Sequence, residues 1–214
     1  MENKILKTLK PISRVCCVVS LLVSALAVTF LVMYNFADVF TIYTDEGTKY
    51  AEGFSYPGWQ SIFAGVGGMI IQGYTEATFN IWTFLGCFVP LFACIVAFVI
   101  ILRNIVERGT NKKKAIVDII AGITLIAGGI ILANCDKLWI ANAKNVTGSY
   151  TYYYEAYLVP AMNGELYFGK DYYPDLLLVI CVISGVVKLL NAGVLLFQKY
   201  YARYVKNHNS VEVK

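Results

Sequence analysis

Two stretches of this chain, Val15 to Phe36 and Ala77 to Leu102, contain no charged residue. An α-helix rises about 1.5 Å per residue, so roughly 20 apolar residues cross the hydrocarbon core of a bilayer. Both stretches reach that length. Two further runs, Ala115 to Asn134 and Leu176 to Gln198, are each interrupted by one charge, Asp118 and Lys188 respectively. A charge inside a span costs about 2.5–3.5 kcal/mol on insertion scales, and less near an end, where a long side chain reaches the interface. The many Leu, Ile and Val residues around each charge offset that cost. With 58% hydrophobic and 15% charged residues, the composition suits such a chain and not a soluble domain of this length. The expected fold class is an all-α membrane protein, a single four-helix transmembrane bundle over residues 1–214. Its spans are expected near 15–36, 77–102, 115–134 and 176–198.

The charges between the spans orient them. Lys4, Lys7, Lys10 and Arg14 precede the first span. Arg103, Arg108, Lys112, Lys113 and Lys114 separate the second from the third, and Lys199, Arg203, Lys206 and Lys214 follow the fourth. The other two loops hold only Lys49, Lys137, Lys144 and Lys170 among their basic residues, alongside ten acids. Basic residues concentrate on the cytoplasmic side, so both termini and the 103–114 loop are expected in the cytoplasm and loops 37–76 and 135–175 outside. The expected location is the plasma membrane. The net charge of +4 then reflects orientation and attraction to anionic lipid, with no nucleic-acid partner implied.

A fifth span over Gly53–Thr75 is also free of charge but carries Pro57 and a run of glycines, and it would put Lys112–Lys114 on the wrong side. A re-entrant or interfacial segment suits it better. Ala25-Leu26-Ala27 resembles a signal-peptidase site, yet the apolar run continues to Phe36, so an uncleaved span is expected. Cys16, Cys17, Cys87, Cys94 and Cys181 fall within spans and Cys135 at an outer boundary. No disulfide framework or metal-ligand spacing is present, and neither a metal nor a cofactor is expected.

Both outer loops are longer than a hairpin between helices needs, so they should carry structure. In the first, Pro57-Gly58 signals a turn, after which Trp59, Ile62, Phe63 and Val66 recur at helical spacing. A short amphipathic helix on the membrane face follows, with Trp59 an interfacial anchor or a contact for a partner. In the second, Tyr150 to Tyr157, including Tyr152, Tyr153 and Tyr154, is rich in β-formers, and Tyr167, Phe168, Tyr172 and Tyr173 follow a Met162-Asn163-Gly164 turn. Two short strands paired as a hairpin suit that pattern. Tyrosine at this density forms an aromatic belt or a recognition surface. Asn145-Val146-Thr147 fits a glycosylation sequon.

Within the spans, Lys188 lies about ten residues, or about 15 Å, inward from Gln198. Ser184, Gly185, Asn191 and Ala192 share its helical face, a small and polar stripe that should turn away from lipid. The third span offers a matching stripe of Asp118, Ala121, Gly122, Leu125, Gly128 and Gly129. Asp118 sits about 10 Å shallower than Lys188, a gap that a reaching lysine largely covers. Asp118, Lys188 and Asn191 are therefore the candidate intramembrane polar group. It would serve as a structural pair or as part of an ion or proton pathway. Pro90 should kink the second span.

Catalytic signals are weak. His208, the only histidine, lies in the C-terminal tail, and no nucleotide-binding glycine loop, zinc-type HExxH or serine-elbow pattern occurs. An enzyme is not expected.

The arrangement resembles small four-span membrane proteins common in low-GC Gram-positive bacteria. The likeness covers the whole topology, with Pro57-Gly58-Trp59-Gln60-Ser61-Ile62-Phe63-Ala64-Gly65 as its nearest approach to a signature. It brings no activity with it. The layout is also similar to that of claudin-like tetraspan proteins, including a tryptophan in the first outer loop. The chain lacks their cysteine pair in that loop and their Gly-Leu-Trp motif, so the likeness is one of layout. Two functions follow as expectations. One is a non-enzymatic interaction or scaffold protein whose outer loops meet a membrane or extracellular protein, or a second copy of the chain. The other is a small transporter or channel with Lys188 lining a route through the helices.

Overall fold

The computed structural model of the chain describes residues 2–43, 54–63, 79–106, 111–138 and 167–209. In order these form α1 (Glu2–Tyr34), β1 (Asp38–Tyr43), β2 (Phe54–Pro57), α2 (Gly58–Phe63), α3 (Ile81–Val106), α4 (Asn111–Leu132), β3 (Tyr167–Lys170) and α5 (Tyr172–Asn209). Four of the helices contain segments long and apolar enough to cross a membrane: Pro11–Tyr34, Ile81–Arg103, Lys113–Leu132 and Tyr172–Tyr204. The protein is a polytopic membrane protein, mostly helical.

The helix limits differ from the expected spans for local reasons. α3 starts at Ile81 rather than residue 77, because the Asn80 side chain caps it by accepting a hydrogen bond from the Thr83 N–H at 3.2 Å. α4 stops at Leu132, where the Asn134 amide donates back to the Ile130 carbonyl at 2.8 Å and satisfies one terminal acceptor. α5 begins earlier than expected, with Pro174 and Asp175 in its first turn, where a missing N–H does no harm and a negative charge suits the helix dipole. It also runs on to Asn209, well past Gln198. α3 is continuous through Pro90.

All four long helices bury residues at spacings of three, four or seven, the last being one step of each. On α1 these are Cys17, Ser20, Ser24, Ala27, Leu31 and Tyr34; on α3 they are Cys87, Cys94, Ala97 and Ile101. On α4 and α5 the same rhythm runs through Ala115, Asp118, Ala121, Leu125 and Leu132, and through Cys181, Ser184, Lys188, Asn191 and Leu195. That period is the one left-handed helix packing uses. Many of the buried positions are small or polar, among them Cys17, Ser20, Ser24, Ala27, Ala115 and Ala121, whereas Leu22, Phe92, Ile123 and Leu190 lie more than half exposed. Apolar exteriors and small-residue contacts are what lipid-embedded helices require, since lipid supplies no hydrophobic drive between them.

The chain divides into two compact units. One is drawn from Met1–Thr29, Pro90–Ile126 and Cys181–Lys214, the other from Phe30–Val89 and Ala127–Ile180. The second unit holds a three-stranded antiparallel sheet in the order β2-β1-β3. β1 pairs with β2 through Phe40↔Tyr56, Thr41↔Ser55 and Ile42↔Phe54, with an irregularity between Asp38 and Phe40. It pairs with β3 through Phe40↔Lys170, Thr41↔Gly169, Ile42↔Phe168 and Tyr43↔Tyr167. Val39 and Phe40 are wholly buried. Lys170 makes an ion pair with Asp175 at the start of α5.

α2 is docked onto the end of α1 in the same unit. The Gly58 N–H donates to the Ala37 carbonyl at 3.0 Å and the Trp59 N–H to the Asn35 carbonyl at 3.2 Å. The Ser61 hydroxyl donates to the Gly58 carbonyl at 2.6 Å, which leaves its oxygen to accept from the buried Tyr34 hydroxyl at 2.9 Å. The Tyr173 hydroxyl donates to the Phe30 carbonyl at 2.8 Å.

The described residues are mostly helical with four helices able to cross a membrane, as expected, and both long loops add short strands. Of the hairpin expected within residues 150–173, Tyr150–Tyr157 lie outside the described residues, and Tyr167–Lys170 form β3, which pairs with β1 of the first loop. The short helix expected after Pro57-Gly58 is present as α2, with Ile62 buried and Trp59 partly exposed; Val66 lies outside the described residues.

Candidate functional site

The first unit contains a buried polar cluster contributed by three helices. α1 supplies Ser20, α4 supplies Asp118, and α5 supplies Lys188 and Asn191. Ser20, Asp118 and Lys188 have no exposed surface, and Asn191 has 5%. Lys188 stands sixteen residues from either end of the Tyr172–Tyr204 segment, at its middle.

Backbone contact sets the geometry. Gly122 of α4 and Gly185 of α5 meet so closely that a Cβ on Gly185 would lie 2.7 Å from the Gly122 carbonyl oxygen. One turn along from each glycine, toward the same end of the unit, are Asp118 and Lys188. Side chains three or four apart on a helix share a face, so the glycine contact aims the carboxylate and the ammonium at one another. A cluster of Ala115, Ala192 and Leu195, flanked by Ile119 and Leu196, closes the α4–α5 contact beyond the cluster.

The Lys188 ammonium lies 3.1 Å from Asp118 Oδ1. The same oxygen accepts from the Ser20 hydroxyl at 2.6 Å, while Lys188 also donates to Ser20 Oγ at 3.1 Å. Asp118 Oδ2 accepts from the Asn191 amide. The Ser24 hydroxyl turns back to the Ser20 carbonyl at 2.8 Å. Three neighbours thus serve one carboxylate, which is what a buried charge needs, because desolvation otherwise outweighs the attraction of its counter-ion. A second buried lysine, Lys114, donates to the Cys17 sulfur at 3.7 Å between α4 and α1.

The structure therefore brings Asp118, Lys188 and Asn191 together. Sequence reasoning missed Ser20, the fourth member. Its signal was the run Ser20, Ser24 and Ala27, small and partly polar residues at the spacing that marks the other two stripes. Of the candidate loop contacts, Trp59 lies on α2 in the second unit, 42% exposed, and Tyr152, Tyr153 and Tyr154 lie outside the described residues.

Chemically, the cluster can hold three helices in register and can relay a proton among a carboxylate, a hydroxyl and an amine. Comparison with protein-family models and with curated proteins finds no match to this chain.

Proposed function

We propose that the protein is a non-enzymatic interaction or scaffold protein of the plasma membrane, with both termini in the cytoplasm and its two long loops outside. The observation that carries this reading is the pairing of β1 on both sides, with β2 of its own loop and β3 of the other. Two independent loops would present two mobile surfaces, whereas a shared sheet makes a single element, and preordered surfaces lose less entropy on binding. Trp59 and Phe63, each just over 40% exposed on α2 beside that sheet, offer aromatic surface of the kind recognition sites favour. The partner is a membrane or extracellular protein, or a second copy of the chain, within the lipid bilayer.

The test is a gentle-detergent affinity purification from native membranes, with mass spectrometry of the co-purifying proteins. A stoichiometric partner lost on Trp59→Ala or Tyr153→Ala supports the reading. A bare homo-oligomer that neither substitution alters argues against it.

A second reading, a small transporter or channel, has one observation in its favour: a fully buried lysine at mid-span with acidic and hydroxyl partners. Intramembrane ionisable residues commonly mark transport routes. Reconstituted Lys188→Ala protein that folds but loses a flux present in wild type would favour it.

A further inference from the structure

We propose that the Asp118–Lys188 cluster contains a binding site for one small ligand that both donates and accepts hydrogen bonds, a single water molecule, held between Lys188 Nζ and Asn191 Oδ1. The inference comes from the hydrogen-bonding capacity left over. An ammonium has three donors, and Lys188 uses one on Asp118 and one on Ser20, so one N–H is without a partner among the described residues. Asn191 uses its amide nitrogen on Asp118, and its carbonyl oxygen, Oδ1, is buried with no hydrogen-bond partner.

The amide orientation is fixed by chemistry. An ionised carboxylate only accepts, so the NH2 group must face Asp118 and the oxygen must face elsewhere. Lys188 and Asn191 are three residues apart on α5 and bind the two different oxygens of the same carboxylate. A spare donor and a spare acceptor thus belong to neighbouring side chains on one helix face.

Among small ligands, only one with both functions completes this set. A metal cation would oppose the ammonium, and an anion would oppose the amide oxygen. Water accepts from Lys188 and donates to Asn191, and buried waters characteristically join two to four otherwise unpartnered polar groups. The alternative is a buried carbonyl left without a bond, at a cost of roughly 1–3 kcal/mol.

X-ray radiolytic labelling of the full chain in lipid nanodiscs tests this, because ordered water activated in place oxidises the side chains beside it. After brief mixing into H2(18)O, wild type should incorporate label between Val187 and Leu195 several-fold faster than the all-aliphatic Leu176–Ile180 stretch of the same helix. Asn191→Leu should remove that excess. Labelling of Val187–Leu195 at the level of Leu176–Ile180 overturns the proposal. So does an excess that survives Asn191→Leu. If Asn191→Leu does not fold, the wild-type ratio alone decides.

Discussion

Gly122 and Gly185 touch through their backbones: a Cβ on Gly122 would lie 2.9 Å from the Gly185 carbonyl oxygen, and one on Gly185 would lie 2.7 Å from that of Gly122. Ile126 adds to the crowding, with its Cγ1 2.6 Å from the Gly185 Cβ position. Carbonyl oxygens of two helices cannot move aside as a side-chain tip can. Gly185→Ala should therefore force α4 and α5 apart and destabilise the protein by about 1–3 kcal/mol, the usual range for overpacking. Gly193, eight residues further along α5, has nothing within 4 Å of its Cβ position, so Gly193→Ala should be neutral or slightly stabilising. Reversible unfolding in mixed micelles distinguishes them; equal effects would refute the close contact.

Breaking the ion pair should cost more than removing it. Asp118→Ala leaves the Lys188 charge buried at mid-span with only Ser20 beside it, and Lys188→Ala leaves Asp118 with two neutral donors. Loss of one partner of a buried pair typically costs about 3–5 kcal/mol, because the other charge remains desolvated. The double variant Asp118→Leu/Lys188→Met buries no charge and should be less destabilised than either single variant. Ser20 and Asn191 would then lack their shared acceptor, so full recovery is not expected. A double-mutant cycle measures the coupling, and strictly additive losses would mean that the two side chains do not interact.

The same cluster shows what the sequence could and could not disclose. Lys188, Asn191 and Asp118 were legible because a charge in an apolar run is costly, and small residues at spacings of three and four mark the face that accommodates it. Ser20 was not, since a serine in a span costs little and stands out only once its partners are known. The sheet was hidden for a different reason. Asp38–Tyr43 is rich in β-branched and aromatic residues, but its strand partners, Phe54–Pro57 and Tyr167–Lys170, are not adjacent to it in the chain. Its pairing with Tyr167–Lys170 joins segments more than 120 residues apart, and only the closed fold sets that register. Helix ends were uncertain by several residues because caps such as Asn80 and Asn134 act through geometry that composition does not encode.

Cys135 should be unreactive at neutral pH. Burial pushes its thiol from an ordinary 9.0 up to about 12, against a smaller opposing contribution from the Tyr34 hydroxyl, and none of its surface is exposed. At pH 8 only about one thiol in 10,000 would be ionised, and the thiolate is the reactive form. Maleimide labelling of Cys135 in the folded protein should lag the denatured chain by at least about 100-fold. The linkage sign is definite: above pH 9.0 the unfolded chain gives up this proton and the folded chain keeps it, so stability falls as pH rises from 9.0 toward 12. Rapid labelling at pH 7 without unfolding would contradict the buried position.

The junction of α1 and α2 gives a last prediction that separates structure from recognition. A Cβ on Gly58 would lie 2.0 Å from the Tyr34 carbonyl oxygen and 2.7 Å from its ring. Gly58→Ala must therefore move α2 off α1 and break the hydrogen bond from Tyr34 to Ser61. Ile62→Ala, at a wholly buried site, should cost about 2–5 kcal/mol through the cavity it leaves. Trp59→Ala, at a partly exposed position of the same helix, should cost less than either. The expected pattern is that Gly58→Ala and Ile62→Ala lower thermal stability in nanodiscs and weaken partner capture together. Trp59→Ala should weaken capture with stability largely retained. If Trp59→Ala proves as destabilising as Ile62→Ala, the tryptophan belongs to the folded core of the second unit and its surface is not the recognition element.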